Sequence, residues 1–233
     1  YIINISITNA SDLSTFKFNW NGTNYTLYDD SLVLMMNFNN VSTLGENNTK
    51  IVDISKFGNN GTCSGTSCPI WNANGKDKGA YSFDGNDYIT STDIDVIGNI
   101  TLATWVNLSN PSDIYGAIIN KEDTVNGNSV FTLRYDTNGD GLLAFDIKTT
   151  TITTLVYPIS EGTWHFIVGT YNNSNMTLYL DGIKVNSTSK SGALTTSNEP
   201  VYIGRFDDTY SRYFIGSIDE VRIWNRSLSA SEI

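Results

Sequence analysis

The chain has 233 residues and a net charge of −10, from 24 acidic against 14 basic residues, with only 16% charged residues. That balance excludes a nucleic-acid partner held through phosphates and argues against adsorption to anionic lipid. Hydrophobic residues at 39%, five Trp among them, supply one sizeable core, while the polarity comes from Asn, Ser and Thr, which suit strands and turns and interrupt helices.

No apolar run approaches the roughly 20 residues that cross a bilayer, so direct membrane insertion is not expected. The chain starts with Tyr and shows no basic leader followed by an apolar stretch, which reads as a processed product or one segment of a longer polypeptide.

Residues 1–30 read as an N-terminal strip, or the end of a preceding module. Tyr1 to Thr8 alternates as a strand, and Phe16–Trp20 and Thr23–Tyr28 flank Asn21-Gly22, a two-residue hairpin signal. Ile2, Ile3, Ile5, Ile7, Phe16, Phe18 and Trp20 carry too much apolar surface to stay solvated, and a lone hairpin is marginal in water. The strip is therefore expected to pack on its own domain, with self-assembly by strand addition to another subunit as the competing outcome. Asp29-Asp30 marks the boundary with a second domain, 31–233.

Ser31 to Phe38 is nearly continuously apolar and reads as a strand covered on both faces. Residues 39–60 are loop-rich, with Ile51–Ile54 a short exception. Cys63 and Cys68 follow in TCSGTSCP, a spacing that is neither a redox C-x-x-C nor a zinc set. They are expected to form a local disulfide, which implies an oxidising compartment.

Residues 79–89 suggest two short strands about Asp84-Gly85, and Ile100 to Leu108 alternates cleanly. Further strands are predicted near 115–120, 129–136, 142–148, 152–157, 200–205 and 213–224. In Thr163 to Ser187 two alternating runs flank Asn172–Asn175, apolar residues occur on both faces, and Asp181-Gly182 supplies a tight turn to a third strand. Strands at this spacing indicate an all-β, antiparallel two-sheet sandwich or jelly roll.

Thirteen Asn residues lie in N-x-S/T sequons, about twice the number that composition gives by chance. The excess points to a secreted or cell-surface glycoprotein, with Asn47, Asn60 and Asn172 the first choices for occupancy. An Asn- and Thr-rich composition with clustered repeats is the plainer account of the same pattern.

Several phrases in order resemble a known family: KGAYSFDGNDYIT (78–90), ITLATWVNL (100–108), TWHFIVGTYNNSNMTLYLDGIKV (163–185), PVYIGR (200–205) and GSIDEVRIWNRSLSASEI (216–233). Together they look like the laminin-G-like, concanavalin A-like jelly roll over residues 31–233. The resemblance implies two antiparallel sheets in which residues 32–38 lie near 216–224. It also implies a structural Ca²⁺ where the first strand meets the last, at positions matching Asn39, Asp53 and Asp219, with Asn39 replacing the more usual Asp. A hydrogen-bonded strand carboxylate is the plainer reading of Asp219.

The resemblance leaves activity open, because one fold hosts many functions. A glycosidase needs two carboxylates flanking the bond. The hydrolytic relatives carry E-x-D-x-x-E, and none of the six Glu begins that pattern. Asp219 and Glu220 are adjacent and would face opposite ways on a regular strand. His165 reads as a packed structural residue, and nucleophile-elbow and zinc-protease motifs are absent. Asp136–Gly141 resembles half of an EF-hand loop, but Ile147 stands where the bidentate Glu belongs, so a hairpin turn is expected. No enzyme activity is expected.

For sugar recognition, aromatic faces must meet convergent polar groups. Arg205, Asp207, Asp208, Tyr210, Arg212 and Tyr213 form the densest such set, with Tyr115 and a Glu122-Asp123 loop at its rim; an ordinary solvated loop is the alternative. The sequence thus reads as a non-catalytic extracellular recognition or adhesion module that binds glycan or a neighbouring surface protein. The alternatives are a structural subunit of a surface layer or filament, and a carbohydrate-binding appendage of a glycoside hydrolase.

Overall fold

Period-two alternation, with turns at Asn, Asp and Gly, produces strands almost throughout. The computed structural model describes residues 15–20, 23–109, 116–123, 128–136, 141–206 and 212–233. The strands, in chain order, are β1 (Thr15–Trp20), β2 (Thr23–Asp29), β3 (Leu32–Met36), β4 (Lys50–Ile51), β5 (Gly61–Thr62) and β6 (Ile70–Asn72). Next come β7 (Ala80–Asp84), β8 (Ile89–Thr90), β9 (Ile100–Leu108), β10 (Gly116–Asp123), β11 (Asn128–Asp136) and β12 (Leu142–Lys148). The last are β13 (Ile152–Pro158), β14 (Trp164–Tyr171), β15 (Asn175–Leu180), β16 (Ile183–Ser189), β17 (Val201–Ile203) and β18 (Ile215–Trp224).

β1 and β2 pair as an antiparallel two-stranded sheet, with Trp20 opposite Thr23, as the Asn21-Gly22 signal requires. Tyr1 to Thr8 lies outside the described residues. The rest forms two antiparallel sheets, one in the order β13-β12-β11-β10-β17-β8-β5-β4 and the other β16-β15-β14-β9-β18-β7-β6, with β3 also on β18. β3 pairs Val221 to Trp224, so the first sandwich strand meets the last as the resemblance implies. β7 and β8 sit in opposite sheets, so the Asp84-Gly85 bend carries the chain from one layer to the other rather than closing a hairpin.

The core fills the space between the sheets. Ile119, Phe131, Leu133, Phe145 and Ile203 come from one sheet, and Leu102, Val106, Ile167, Tyr171, Leu178 and Ile218 from the other. The layers approach closely where Phe145 lies over Gly169: a Cβ there would fall 2.6 Å from the Phe145 ring. Ala103, Val168 and Tyr179 form a second cluster on the outer face of the β14 sheet, with Phe166, Trp224 and Ile233 packed against it. This covers the second apolar face of the 163–187 segment.

Three irregularities position the polar groups. Register shifts between Ala117 and Ile119, and between Lys121 and Glu122, let Ile118 and Ile119, and Val130 and Phe131, enter the core as adjacent pairs. Asn120 then pairs with Thr132, and Thr132 with Asp146, in a row facing away from the core. In β18 a third shift falls between Asp219 and Arg222, with Glu220 at φ 54°, where the strand changes partner from β7 to β3. Both Asp219 and Glu220 are buried there.

Candidate functional site

The outer row of the β10–β12 sheet carries the densest polar network. Asn120 is fully buried; its Oδ1 accepts from Ser129 Oγ at 2.7 Å and Thr132 Oγ1 at 2.6 Å. Its Nδ2 donates to Glu122 Oε1 at 3.1 Å and to the carbonyl of Phe206, which ties Phe206 to the sheet. Arg134 Nε donates to Asp146 Oδ2 at 2.6 Å, and Lys148 Nζ to Asp123 Oδ2 at 2.6 Å. Asp146 Oδ1 is buried without a hydrogen-bond partner among the described residues. Glu122 and Asp123 belong to strand β10, not to a loop.

Beside this row stands an aromatic cluster. The Arg205 guanidinium lies 4.6 Å from the centre of the Tyr88 ring and 4.5 Å from that of Tyr202, distances at which ring quadrupoles hold a cation. Tyr88 also meets Tyr213, at 6.2 Å between ring centres. Arg205 and Tyr213 form an antiparallel bridge, Phe206 N donates to Arg212 O at 2.9 Å, and the Arg212 guanidinium is 5.0 Å from the Phe206 ring. Burial raises the Tyr202 phenol above its ordinary range despite the opposing Arg205 charge, so it stays a neutral donor.

The structure therefore brings Arg205, Arg212 and Tyr213 together; Asp207, Asp208, Tyr210 and Tyr115 lie outside the described residues. Arg205 is itself buried and acts as the clamp that fixes two tyrosines. Tyr88, Tyr202 and Asn120 escaped the sequence reading. The signal for the two tyrosines was present in NDYIT and PVYIG, where each Tyr sits one residue out of phase with a core Ile.

The implied Ca²⁺ ligands divide. Asp219 is fully buried; its Oδ2 accepts from Asp77 N at 2.9 Å, and its Oδ1 has no hydrogen-bond partner among the described residues. Burial raises its pKa to about 6, and a cation would satisfy the orphaned oxygen. Asn39 Oδ1 accepts from Gly79 N at 3.1 Å, so Asn39 and Asp219 hold the same turn around residues 77–79. Asp53 does not fit: Met35 N and Ser55 N donate to its Oδ1, and Ser55 Oγ and Asn59 N to its Oδ2, which makes it the organiser of the 53–59 loop. Among the described residues no three His, Cys, Asp or Glu side chains form a metal-binding group.

Residues 137–140 of the EF-hand-like stretch lie outside the described residues, while the flanking strands pair antiparallel, Asp136 opposite Leu142. Cys63 and Cys68 are joined in a disulfide, and no described helix is long and apolar enough to cross a membrane. Asn47 and Asn172 are exposed, each accepting a backbone N–H two residues ahead through its Oδ1, whereas half-buried Asn60 accepts from Asp53 N. His165 is not packed in the core: it is half-buried, with its two ring nitrogens 2.7 Å from Ser160 Oγ and Asp181 Oδ2.

Among solved structures, the chain resembles the binding domain of Paraclostridial Mosquitocidal Protein 1, at 20% identity and TM-score 0.67 over 87% of this chain and 51% of that one. It also resembles domain 4 of AbnA, a GH43 extracellular arabinanase from Geobacillus stearothermophilus, in complex with arabinotriose. There the identity is 19% and the TM-score 0.66, over 87% of this chain and 96% of that domain. The receptor-binding domain of botulinum neurotoxin C/D mosaic serotype matches at 16% identity and TM-score 0.66, covering 87% and 50% respectively. The chain thus spans about half the length of the toxin binding domains it matches. No curated protein sequence matches it significantly. A family profile described as the concanavalin A-like lectin/glucanases superfamily matches residues 83–233. Profile, sheet order and the β3–β18 pairing agree, and the chain belongs to the concanavalin A-like lectin/glucanase superfamily.

Proposed function

We propose that this chain is an extracellular recognition module that binds glycan through the cluster of Tyr88, Tyr202 and Tyr213, braced by the polar row behind it. The observation that carries the reading is the clamp. One guanidinium holds two tyrosine rings, so a sugar meets a preorganised aromatic surface, braced from behind by the buried Asn120 network. The disulfide and the likeness to toxin binding domains and an arabinanase domain support an extracellular setting and a binding role. Ca²⁺ belongs to the proposal as a structural ion held by Asp219 and Asn39.

A glycan array followed by titration calorimetry tests the reading. Tyr202→Ala is expected to weaken the best ligand by roughly tenfold while leaving the fold intact, the scale of one lost aromatic contact. Unchanged affinity in Tyr88→Ala and Tyr202→Ala would move the site elsewhere. An empty array together with concentration-dependent self-association would replace glycan binding by assembly.

A further inference from the structure

We propose that Ser160, His165 and Asp181 form a nucleophile, base and orienter that open small, neutral acyl esters at the rim of the sandwich. The three come from a loop, a strand start and a turn. Ser160 Oγ lies 2.7 Å from His165 Nε2, and His165 Nδ1 lies 2.7 Å from Asp181 Oδ2. In the tautomer whose Nδ1–H donates to the Asp181 carboxylate, Nε2 is the acceptor and Ser160 donates to it. This is the tautomer that a serine nucleophile needs.

The arrangement is held from both sides. Asp181 opens the β15–β16 turn at φ 52°, its N donates to Phe166 O at 2.8 Å, and its Oδ1 accepts from Phe166 N at 2.9 Å. The carboxylate therefore has one oxygen fixed by backbone and the other aimed at the imidazole. The Ser160 loop is pinned by Ile159 N donating to Gly141 O at 3.3 Å and Gly162 N to Leu108 O at 2.9 Å. Ser160 is exposed, so water could satisfy its hydroxyl, and folding makes no demand for the contact with Nε2.

The chemistry follows from the geometry. Ser160 Oγ attacks the ester carbonyl, its proton passes to His165 Nε2, and the C–O bond to the alcohol breaks as that proton is delivered to the departing alkoxide. Water then adds to the acyl-serine under the same base, releasing the carboxylic acid and returning the proton to Ser160. Asp181 stabilises the imidazolium throughout. Glu161, next in the chain and accepting from Tyr135 O–H at 3.1 Å, adds a second negative charge at the rim. The Asp181 carboxylate across the ring and the Glu161 carboxylate next in the chain disfavour anionic acyl groups and select neutral ones, such as acetate esters of uncharged alcohols.

The test uses the whole chain with two probes, p-nitrophenyl acetate and a fluorophosphonate, with peptide mapping of the adduct. Wild-type protein is expected to carry the phosphonyl group on Ser160 and to release p-nitrophenolate faster than Ser160→Ala. His165→Gln should slow labelling by roughly 100-fold, the usual worth of a positioned base. Asp181→Asn, which keeps an acceptor for Phe166 N, should slow it as well, and p-nitrophenyl succinate should react more slowly than the acetate. Melting curves confirm that each variant is folded. Equal rates in wild type and Ser160→Ala, or adducts mapped only to lysine and tyrosine, overturn the proposal.

Discussion

Asp29 and Arg226, 197 residues apart, meet where the first sandwich strand begins and the last one ends: Arg226 Nη2 and Nε donate to Asp29 Oδ2 at 2.7 and 3.1 Å. Ser31 N adds a bond to Asp29 Oδ1 at 2.8 Å, and Arg226 Nη1 reaches Glu232 Oε2 at 3.0 Å. Partial burial alone would raise the Asp29 carboxyl, but the bonds from Ser31 and Arg226 and the guanidinium charge hold it below its ordinary value. A depressed carboxylate contributes stability that is full above its unfolded value near 3.9 and is lost as pH falls through the folded one. Asp29→Asn should therefore cost about 1 kcal/mol at neutral pH. Denaturant melts at several pH values should show the gap to wild type closing below about pH 4.

Asp219 carries the opposite sign. Its pKa of about 6, raised mainly by burial, lies above the unfolded value, so its contribution is fully present below about pH 4 and is lost as pH rises through about 6. Without a cation, Asp219→Asn should be the more stable protein at pH 7, by about 2 to 3 kcal/mol at most. Bound Ca²⁺ reverses the order, because it stabilises only the folded wild type and leaves the variant unmoved. Melting temperatures of both proteins in chelator and in millimolar Ca²⁺ read both effects. A wild type indifferent to Ca²⁺ removes the ion and leaves the buried carboxylate.

Much of the fold was legible because it rests on local pattern. Alternation marked β9, β12 and β14, and Asn-Gly and Asp-Gly marked the turns beside Trp20 and Leu180. Bulges were not legible: a strand read by period two sends Ile118 outward when Ile119 points in, yet both are core. The same limit hid Asp219 and Glu220 as a buried pair. The short strands β5 and β6 escaped, and β4 falls at Lys50–Ile51 rather than across residues 51–54, because two- or three-residue segments carry no periodicity; pairing across the sheet makes them. His165 was misread as packing because its partners come from a loop and a turn. The clue was the hairpin register, in which Ile167 opposite Leu180 brings Asp181 alongside Phe166.

Glycan occupancy should follow side-chain exposure rather than sequon count. In material secreted through a glycosylating pathway, added mass is expected on Asn47 and Asn172, both exposed at the tips of turns. Asn60 should remain largely bare, since the residue is half-buried and its bond to Asp53 N at 2.9 Å spans the 53–60 loop, whereas the bonds of Asn47 and Asn172 stay within exposed turns. Peptide mapping before and after deglycosylation separates the three sites, and a fully occupied Asn60 would show that the 53–60 loop opens readily.

Lys121 is the most demanding side chain in the sandwich. It lies in the core-facing row between Phe131 and Val201 and is fully buried, yet its ammonium reaches Asp93, Asp95 at 3.2 Å and the Glu199 carbonyl at 2.9 Å. The four-carbon stem thus packs as a hydrophobe while the charge emerges at the rim. Taking the ammonium out of water opposes the attraction of its partners, and the two terms nearly cancel in such pairs. The Asp93 and Asp95 side chains are 44% and 41% exposed, so water can solvate them once the lysine is gone. Lys121→Met keeps the stem and should change stability by less than about 1 kcal/mol. Lys121→Ala removes the stem, leaves a cavity beside Phe131 and should cost about 2 to 4 kcal/mol. Urea unfolding of both variants decides which part of the residue holds the fold: equal losses would assign the stability to the ion pairs, and a large loss in Ala alone assigns it to packing.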